Sequence, residues 1–131
     1  GAVRAQVLAR CPDRLTAGTI EHALAAHLPD KTAWQRLLTG RIDAVDLAER
    51  RSQAVGLIPA AQRDLISQDE PEVRLTYPVE TFLAKAKTWN LTKVDRVEGA
   101  LTGIKGQYLF IGPAGFSVRR HSGFEVEVQL G

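Results

Sequence analysis

The sequence predicts an α+β chain in which a helical N-terminal part with at least one strand precedes an antiparallel β-rich meander or small barrel. Two patterns indicate this class. Apolar residues recur at helical spacing over 16–28, whereas short apolar segments separated by glycine-rich turns fill the chain after Val94. The acidic stretch 68–72 separates the two patterns. We therefore expect one part over 1–70 and a second over 71–131.

The first elements follow from simple spacing. In residues 3–10 apolar side chains at every odd position alternate with Arg4, Gln6, Leu8 and Arg10, which predicts a half-buried strand. Thr16 is expected to cap the helix over 16–28, and Pro29 is expected to end it. The acidic stretch 68–72 is interpreted as a solvated linker.

Three shorter helices are predicted before the linker. Thr32 is the expected N-cap of the second helix, which ends before Gly40. Asp43 is the expected N-cap of the third. Pro59 suits the first position of a fourth, which runs through Ile66.

Beyond the linker, 73–77 alternates like a strand, and 82–91 stays open between helix and strand. Glycine-rich turns then delimit a series of short predicted strands. These strands are 97–104, 107–111, 116–120 and 124–130.

Composition limits the class of protein. With 44% hydrophobic and 24% charged residues, the 131-residue chain can bury a core. No apolar run approaches the roughly 18 residues of a membrane span, and no signal-peptide pattern is visible. The single cysteine, Cys11, fits a reducing compartment, so we expect a cytoplasmic protein without a membrane partner. Because the chain begins at Gly1 and contains no methionine, we expect a fragment of a longer protein.

Charge is distributed unevenly along the chain. Residues 84–131 carry seven Lys and Arg against four Asp and Glu, a net charge of +3, whereas residues 1–83 carry −1. A basic β-rich part allows a polyanionic partner such as nucleic acid.

Several stretches together resemble a known family. They are Glu21 with His27, Asp30–Trp34, Leu38–Gly40, Tyr77–Val79, Val97–Leu109, Val118–Arg120 and Gly123–Val126. In these stretches the chain resembles the C-terminal half of the bacterial family catalogued as domain of unknown function 2797. The run Gly-Ile-Lys-Gly-Gln-Tyr at 103–108 is the most specific match.

The resemblance implies more sequence upstream than is present here. That upstream part carries cysteine pairs resembling a small zinc site, and a segment similar to the opening of the GIY-YIG nuclease fold. By this analogy Glu21 would be the metal-binding glutamate of such a nuclease, with Mg²⁺ bound in the full-length protein. The absent N-terminal segment would then be a partner of this chain. The alternative is that Glu21 is a solvated helix residue.

A second set of candidate residues comes from the β-rich part. Lys105, Tyr108, Arg119 and Arg120 would share a small sheet if the strands around them form a hairpin. Lys and Arg bind phosphates, and aromatic rings stack on bases, so these four are predicted nucleic-acid-binding residues. The alternative for Tyr108 is a place in the core.

Three functions stay open at this point. We predict a nucleic-acid-associated binding or supporting module. The first alternative is the C-terminal half of a metal-dependent, GIY-YIG-like nuclease, of which this chain alone is not expected to be active. The second is a structural or protein-interaction module. The sequence does not distinguish DNA from RNA, and it does not indicate an oligomeric state.

Overall fold

The computed structural model describes residues 2–28 and 33–131 and confirms the α+β class. Its helices lie mostly in the N-terminal half and most of its strands in the C-terminal half. The helices are α1 (Arg14–Ala25), α2 (Trp34–Thr39) and α3 (Leu47–Leu57), with 3₁₀ helices over Ala60–Leu65 and Arg119–His121. The strands are β1 (Arg4–Ala5), β2 (Val73–Arg74), β3 (Leu101–Lys105), β4 (Tyr108–Ile111) and β5 (Ala114–Ser117).

The described chain forms two compact units, and neither is continuous in sequence. The first unit comprises 2–28 and 43–76, and the second comprises 33–42 and 77–131. Segment 33–42 belongs with the β-rich unit because α2 supplies part of that unit's core. The units therefore divide the chain differently from a single boundary near residue 70.

In the first unit, β1 pairs with β2 in antiparallel register, and irregular hydrogen bonds extend this ladder to Arg10 and Leu65. Only Arg4 and Ala5 of the predicted strand 3–10 have regular strand geometry. The acidic stretch is more than a solvated linker, since Glu70 accepts two hydrogen bonds from Arg10 at 2.8 and 3.2 Å. These hydrogen bonds lower the pKa of Glu70.

The helix caps of the first unit lie beside the predicted ones. Asp13, not Thr16, caps α1, because its carboxylate accepts the Thr16 backbone N–H at 2.7 Å. Asp46, not Asp43, caps α3. The predicted helix after Pro59 is confirmed as the 3₁₀ helix Ala60–Leu65. α1 ends at Ala25, before the predicted stop at Pro29, and the N-cap of α2 is Ala33, not the predicted Thr32; Pro29 and Thr32 themselves lie outside the described residues.

The second unit is built on an antiparallel meander of β3, β4 and β5 in sequence order. Both of its edges are covered. Segment 78–81 forms hydrogen bonds along β3, and segment 87–89 forms them along β5. Covering an edge in this way leaves fewer free backbone groups for pairing with another chain. The undecided stretch 82–91 is thus neither helix nor regular strand.

Five buried residues form the core of the second unit: Leu37, Leu38, Leu83, Tyr108 and Phe110. The predicted glycine at the end of α2 is confirmed, since Gly40 has a φ of 68°. A side chain at Gly40 would also collide with Phe82, whose Cγ lies 2.6 Å from the position of an added Cβ. Gly40 therefore ends α2, and its lack of a side chain allows the Phe82 ring to pack against this position.

Several predicted strands are shorter in the structure or absent from it, and 73–77 is strand only over Val73–Arg74 and 97–104 only from Leu101. Strand pairing ends at Ser117, so Arg119 and Arg120 lie in a 3₁₀ turn and not on a strand. Residues 124–130 have no regular secondary structure, despite their alternating pattern. Among the described residues, no helix is long and apolar enough to cross a membrane.

Candidate functional site

An open pocket of 540 Å³ in the second unit collects residues from four separate segments. We call it the basic pocket. Its lining residues are Trp34, Thr88, Gln107, Tyr108, Ser117, Arg119 and Arg120. Three of the four predicted nucleic-acid-binding residues are therefore brought together, although they are separated in sequence.

The turn between β3 and β4 sets one side of this pocket. Gly106 has a φ of 59°, a conformation that glycine adopts without strain, and it directs the chain into Gln107. The backbone carbonyl of Gln107 accepts a hydrogen bond from Val118 N–H at 2.9 Å. That bond lies just beyond the Tyr108–Ser117 pair of β4 and β5, and from there the chain enters the 3₁₀ turn of Arg119 and Arg120.

His121 anchors the turn that carries the two arginines. Its ring is buried, with Nδ1 2.8 Å from the Ser117 carbonyl oxygen and Nε2 3.1 Å from the Leu91 backbone N–H. A carbonyl only accepts and an amide N–H only donates, so this arrangement requires a neutral imidazole protonated on Nδ1. The ring also stacks on Phe116 at a centroid distance of 4.6 Å. His121 therefore acts as a positioning residue for Arg119 and Arg120.

The two arginines and Tyr108 have different environments. Arg119 and Arg120 are exposed, and neither guanidinium forms a salt bridge within the described part of the chain. Tyr108 is only 7% exposed and belongs to the core, so it forms the floor of the pocket. Two charged groups at the rim of an open pocket are suited to bind an anion.

Lys105 does not line the pocket. It is only 2% exposed, and its ammonium lies 4.8 Å from the ring centroid of Tyr77 and 5.1 Å from that of Phe82. Such contacts stabilise a cation through the ring quadrupole. Burial nevertheless lowers the pKa of Lys105 from its usual value of 10.5. Lys105 is thus a structural cation under two aromatic rings, out of reach of a bound phosphate.

We expect Lys105→Met to raise the free energy of unfolding by about 1 kcal/mol at pH 7, because it removes a buried charge and keeps the apolar chain. Since the folded-state pKa is lowered, the unfolded chain binds more protons between that pKa and 10.5. The free energy of unfolding of the wild type therefore rises with pH across this window. The difference in that free energy between Lys105→Met and the wild type becomes smaller there.

Denaturant unfolding of both proteins between pH 7 and 10.5 measures this difference. Lys93→Met, at an exposed position, serves as the control and should change stability little at any pH. A less stable Lys105→Met at pH 7 would show that the ring contacts outweigh the desolvation of the charge.

Glu21 lies in a different environment, on an apolar pocket of 410 Å³ in the first unit. Besides Glu21, the lining consists of Val7, Leu8, Ala9, Cys11, Ala17, Ile20, Leu24, Ala25 and Leu28. Mg²⁺ prefers several oxygen ligands, and the described residues contain no cluster of three metal-binding side chains. These residues alone do not fit a metal centre, and a metal-binding role for Glu21 in a larger site stays a prediction.

Sequence reasoning missed four residues of the basic pocket, namely Trp34, Thr88, Gln107 and Ser117. Trp34, at the start of α2, has a side chain that remains 37% exposed. Gln107 lies at the most specific part of the family resemblance, beside Gly106. That resemblance was the one signal in the sequence that could have drawn attention to it.

Comparison with known proteins identifies a family and no function. No curated protein and no solved structure shows significant similarity to this chain. The family model described as "Protein of unknown function (DUF2797)" matches residues 1–126. This match covers nearly the whole sequence and confirms the resemblance noted from its motifs. The chain therefore belongs to the DUF2797 family.

Proposed function

We propose that this chain is a nucleic-acid-binding module and that the basic pocket contacts the phosphate backbone. One observation carries the proposal. Arg119 and Arg120 line the same open pocket as Gln107 and Trp34, from which they are separated in sequence. Neither arginine has an acidic partner in the described chain. Unpaired arginines on a face with a net positive charge are the usual means by which proteins bind phosphates.

The charges of the second unit support the proposal. The +3 charge of residues 84–131 resides in this unit. Lys87, on the segment paired along β5, is also exposed and adds to the positive charge of this unit. Such a surface attracts a polyanion before any specific contact forms.

Binding to short DNA and RNA oligonucleotides across a salt series tests the proposal. We expect the logarithm of the affinity to fall linearly with the logarithm of the salt concentration. Arg119→Ala/Arg120→Ala should flatten that slope by about one to two, because each arginine releases roughly one counterion. At low salt the double variant should bind at least about tenfold more weakly.

The matched control removes two arginines from the other unit. Arg50 and Arg63 are both exposed and lie outside the basic pocket. Arg50→Ala/Arg63→Ala lowers the net charge equally, yet it should leave the slope unchanged. An equal loss in both double variants would indicate nonspecific attraction to a basic protein, and absence of binding at low salt would refute the proposal.

A protein-interaction module is the second candidate. Residues 124–130 expose Val126, Val128 and Leu130 at alternating positions, a pattern typical of a strand that pairs with a neighbour. This candidate would gain weight if no oligonucleotide bound. The pocket beside Glu21 has no basic side chain in its lining, so we place no phosphate-binding role there.

A further inference from the structure

Trp34 combines a fixed position with an accessible ring. It is the first residue of α2, and the buried Leu37 and Leu38 of the same helix hold that helix against the core. A side chain three and four residues before them lies on the same side of the helix. The ring therefore stands where the core borders the basic pocket, and 37% of its surface is open.

The lining of the pocket also offers polar side chains. The Gln107 side chain forms no hydrogen bond with any described residue, which leaves its amide free to donate and to accept. Thr88 adds a hydroxyl group nearby. An amide with both functions can pair with the Watson–Crick edge of a base.

The pocket thus contains three kinds of group that one nucleotide requires. Trp34 offers a flat apolar surface, Gln107 a hydrogen-bonding edge, and the arginine pair a positive charge. Its 540 Å³ lies within the roughly 300–1,000 Å³ of pockets that bind small organic ligands. A base within a duplex is stacked on both faces, so it cannot lie on an indole ring without leaving the helix.

We propose that the basic pocket binds one unpaired nucleotide of a single strand, with its base stacked on Trp34. Gln107 contacts the base edge, and Arg119 and Arg120 contact the adjacent phosphates. This inference rests on the proposed nucleic-acid function and adds the class of ligand to it. The ligand class is single-stranded DNA or RNA, since stacking does not distinguish the two sugars.

The two tryptophans of the chain allow a direct test by fluorescence. Trp89 is partly buried, and its indole N–H donates a hydrogen bond to the Ile111 carbonyl at 3.0 Å. It does not line the pocket and should report little of binding there. The full chain is titrated at low salt with oligo(dT) and oligo(U) of about eight nucleotides, and separately with a hairpin duplex whose loop is a non-nucleotide linker, so that it offers no unpaired base.

Stacking on Trp34 should quench the fluorescence of the wild type and of Trp89→Phe, but not that of Trp34→Phe. The affinity of Trp34→Ala for both single strands should fall by about 5- to 100-fold. Its affinity for the hairpin should change little. Trp34→Phe retains an aromatic ring, so its intermediate affinity would show that the loss in Trp34→Ala comes from stacking and not from unfolding.

Failure of this inference is distinguishable from failure of the proposed function. Equal affinity for the hairpin and the single strands, without quenching of Trp34 fluorescence, would overturn the proposal that a nucleotide stacks on Trp34. The proposed function would survive that result if Arg119→Ala/Arg120→Ala still weakened binding. Absence of binding to every oligonucleotide at low salt would overturn both.

Discussion

Phe110→Ala is expected to destabilise the second unit by roughly 3–5 kcal/mol. Phe110 is 0% exposed and lies at the centre of the core, with its ring 6.1 Å from that of Phe82. Its edge also lies 3.0 Å from where a Cβ on Gly103 would stand. Truncation would leave a large cavity with little room to collapse, and a loss of this size can equal the whole stability of a small domain.

Denaturant unfolding followed by Trp89 fluorescence measures the loss, because Trp89 lies in the same unit. Leu109→Ala is the matched control on the same strand. Leu109 points to the opposite face and is only half-buried, so its truncation should cost less than half as much. A loss below about 1 kcal/mol in Phe110→Ala would contradict the core as described.

His121→Ala is expected to cost about 2–4 kcal/mol and to weaken oligonucleotide binding by the arginine turn. The substitution leaves the Leu91 N–H and the Ser117 carbonyl without their partners, in a part of the chain that is largely shielded from water. It also removes the ring stacked on Phe116. Arg119 and Arg120 would remain in the chain, but their turn would no longer be fixed.

Two conservative variants separate these contributions. The side chain of His121→Asn can place a donor near the Nδ1 position and keep the hydrogen bond to the Ser117 carbonyl. The longer side chain of His121→Gln can place an acceptor near the Leu91 backbone N–H. Each should recover part of the stability and part of the binding. If His121→Ala lowers stability but leaves the affinity unchanged, His121 does not position the arginines.

Local signals predicted the helices of this chain more closely than its strands. The glycine that ends α2 was evident because one residue type suits that conformation. The caps were displaced by three residues, although the pattern of Asp46 followed by Glu49 is itself a capping signal. The glycine signal at the end of α2 and the capping signal of α3 each lie within about one turn of helix.

Strand predictions failed where a partner was needed. Alternating side chains are compatible with a strand, but a strand exists only when a neighbour offers its backbone. Residues 124–130 alternate and yet have no such neighbour in the described chain. Conversely, β5 ends at Ser117 because its partner strand β4 begins at Tyr108. The sequence of β5 alone does not indicate this end.

The candidate site was predicted in part for the same reason. Residue type alone indicated Arg119, Arg120 and Tyr108, but the exposure of each depended on distant packing. Lys105 follows the inward side of β3 and is buried, whereas Trp34 is the first residue of α2 and remains partly open, since the buried residues of that helix are Leu37 and Leu38. Such differences arise between segments that are far apart in sequence.

Segment 33–42 has a consequence for how the molecule can be made and divided. It contributes Leu37 and the fully buried Leu38 to a core whose other members, Leu83, Tyr108 and Phe110, follow much later in the chain. During synthesis, α2 cannot complete its packing until Phe110 has emerged from the ribosome. For the same reason, a cut after residue 76 separates α2 from the rest of the second unit, and expression of 77–131 alone should yield an unfolded peptide.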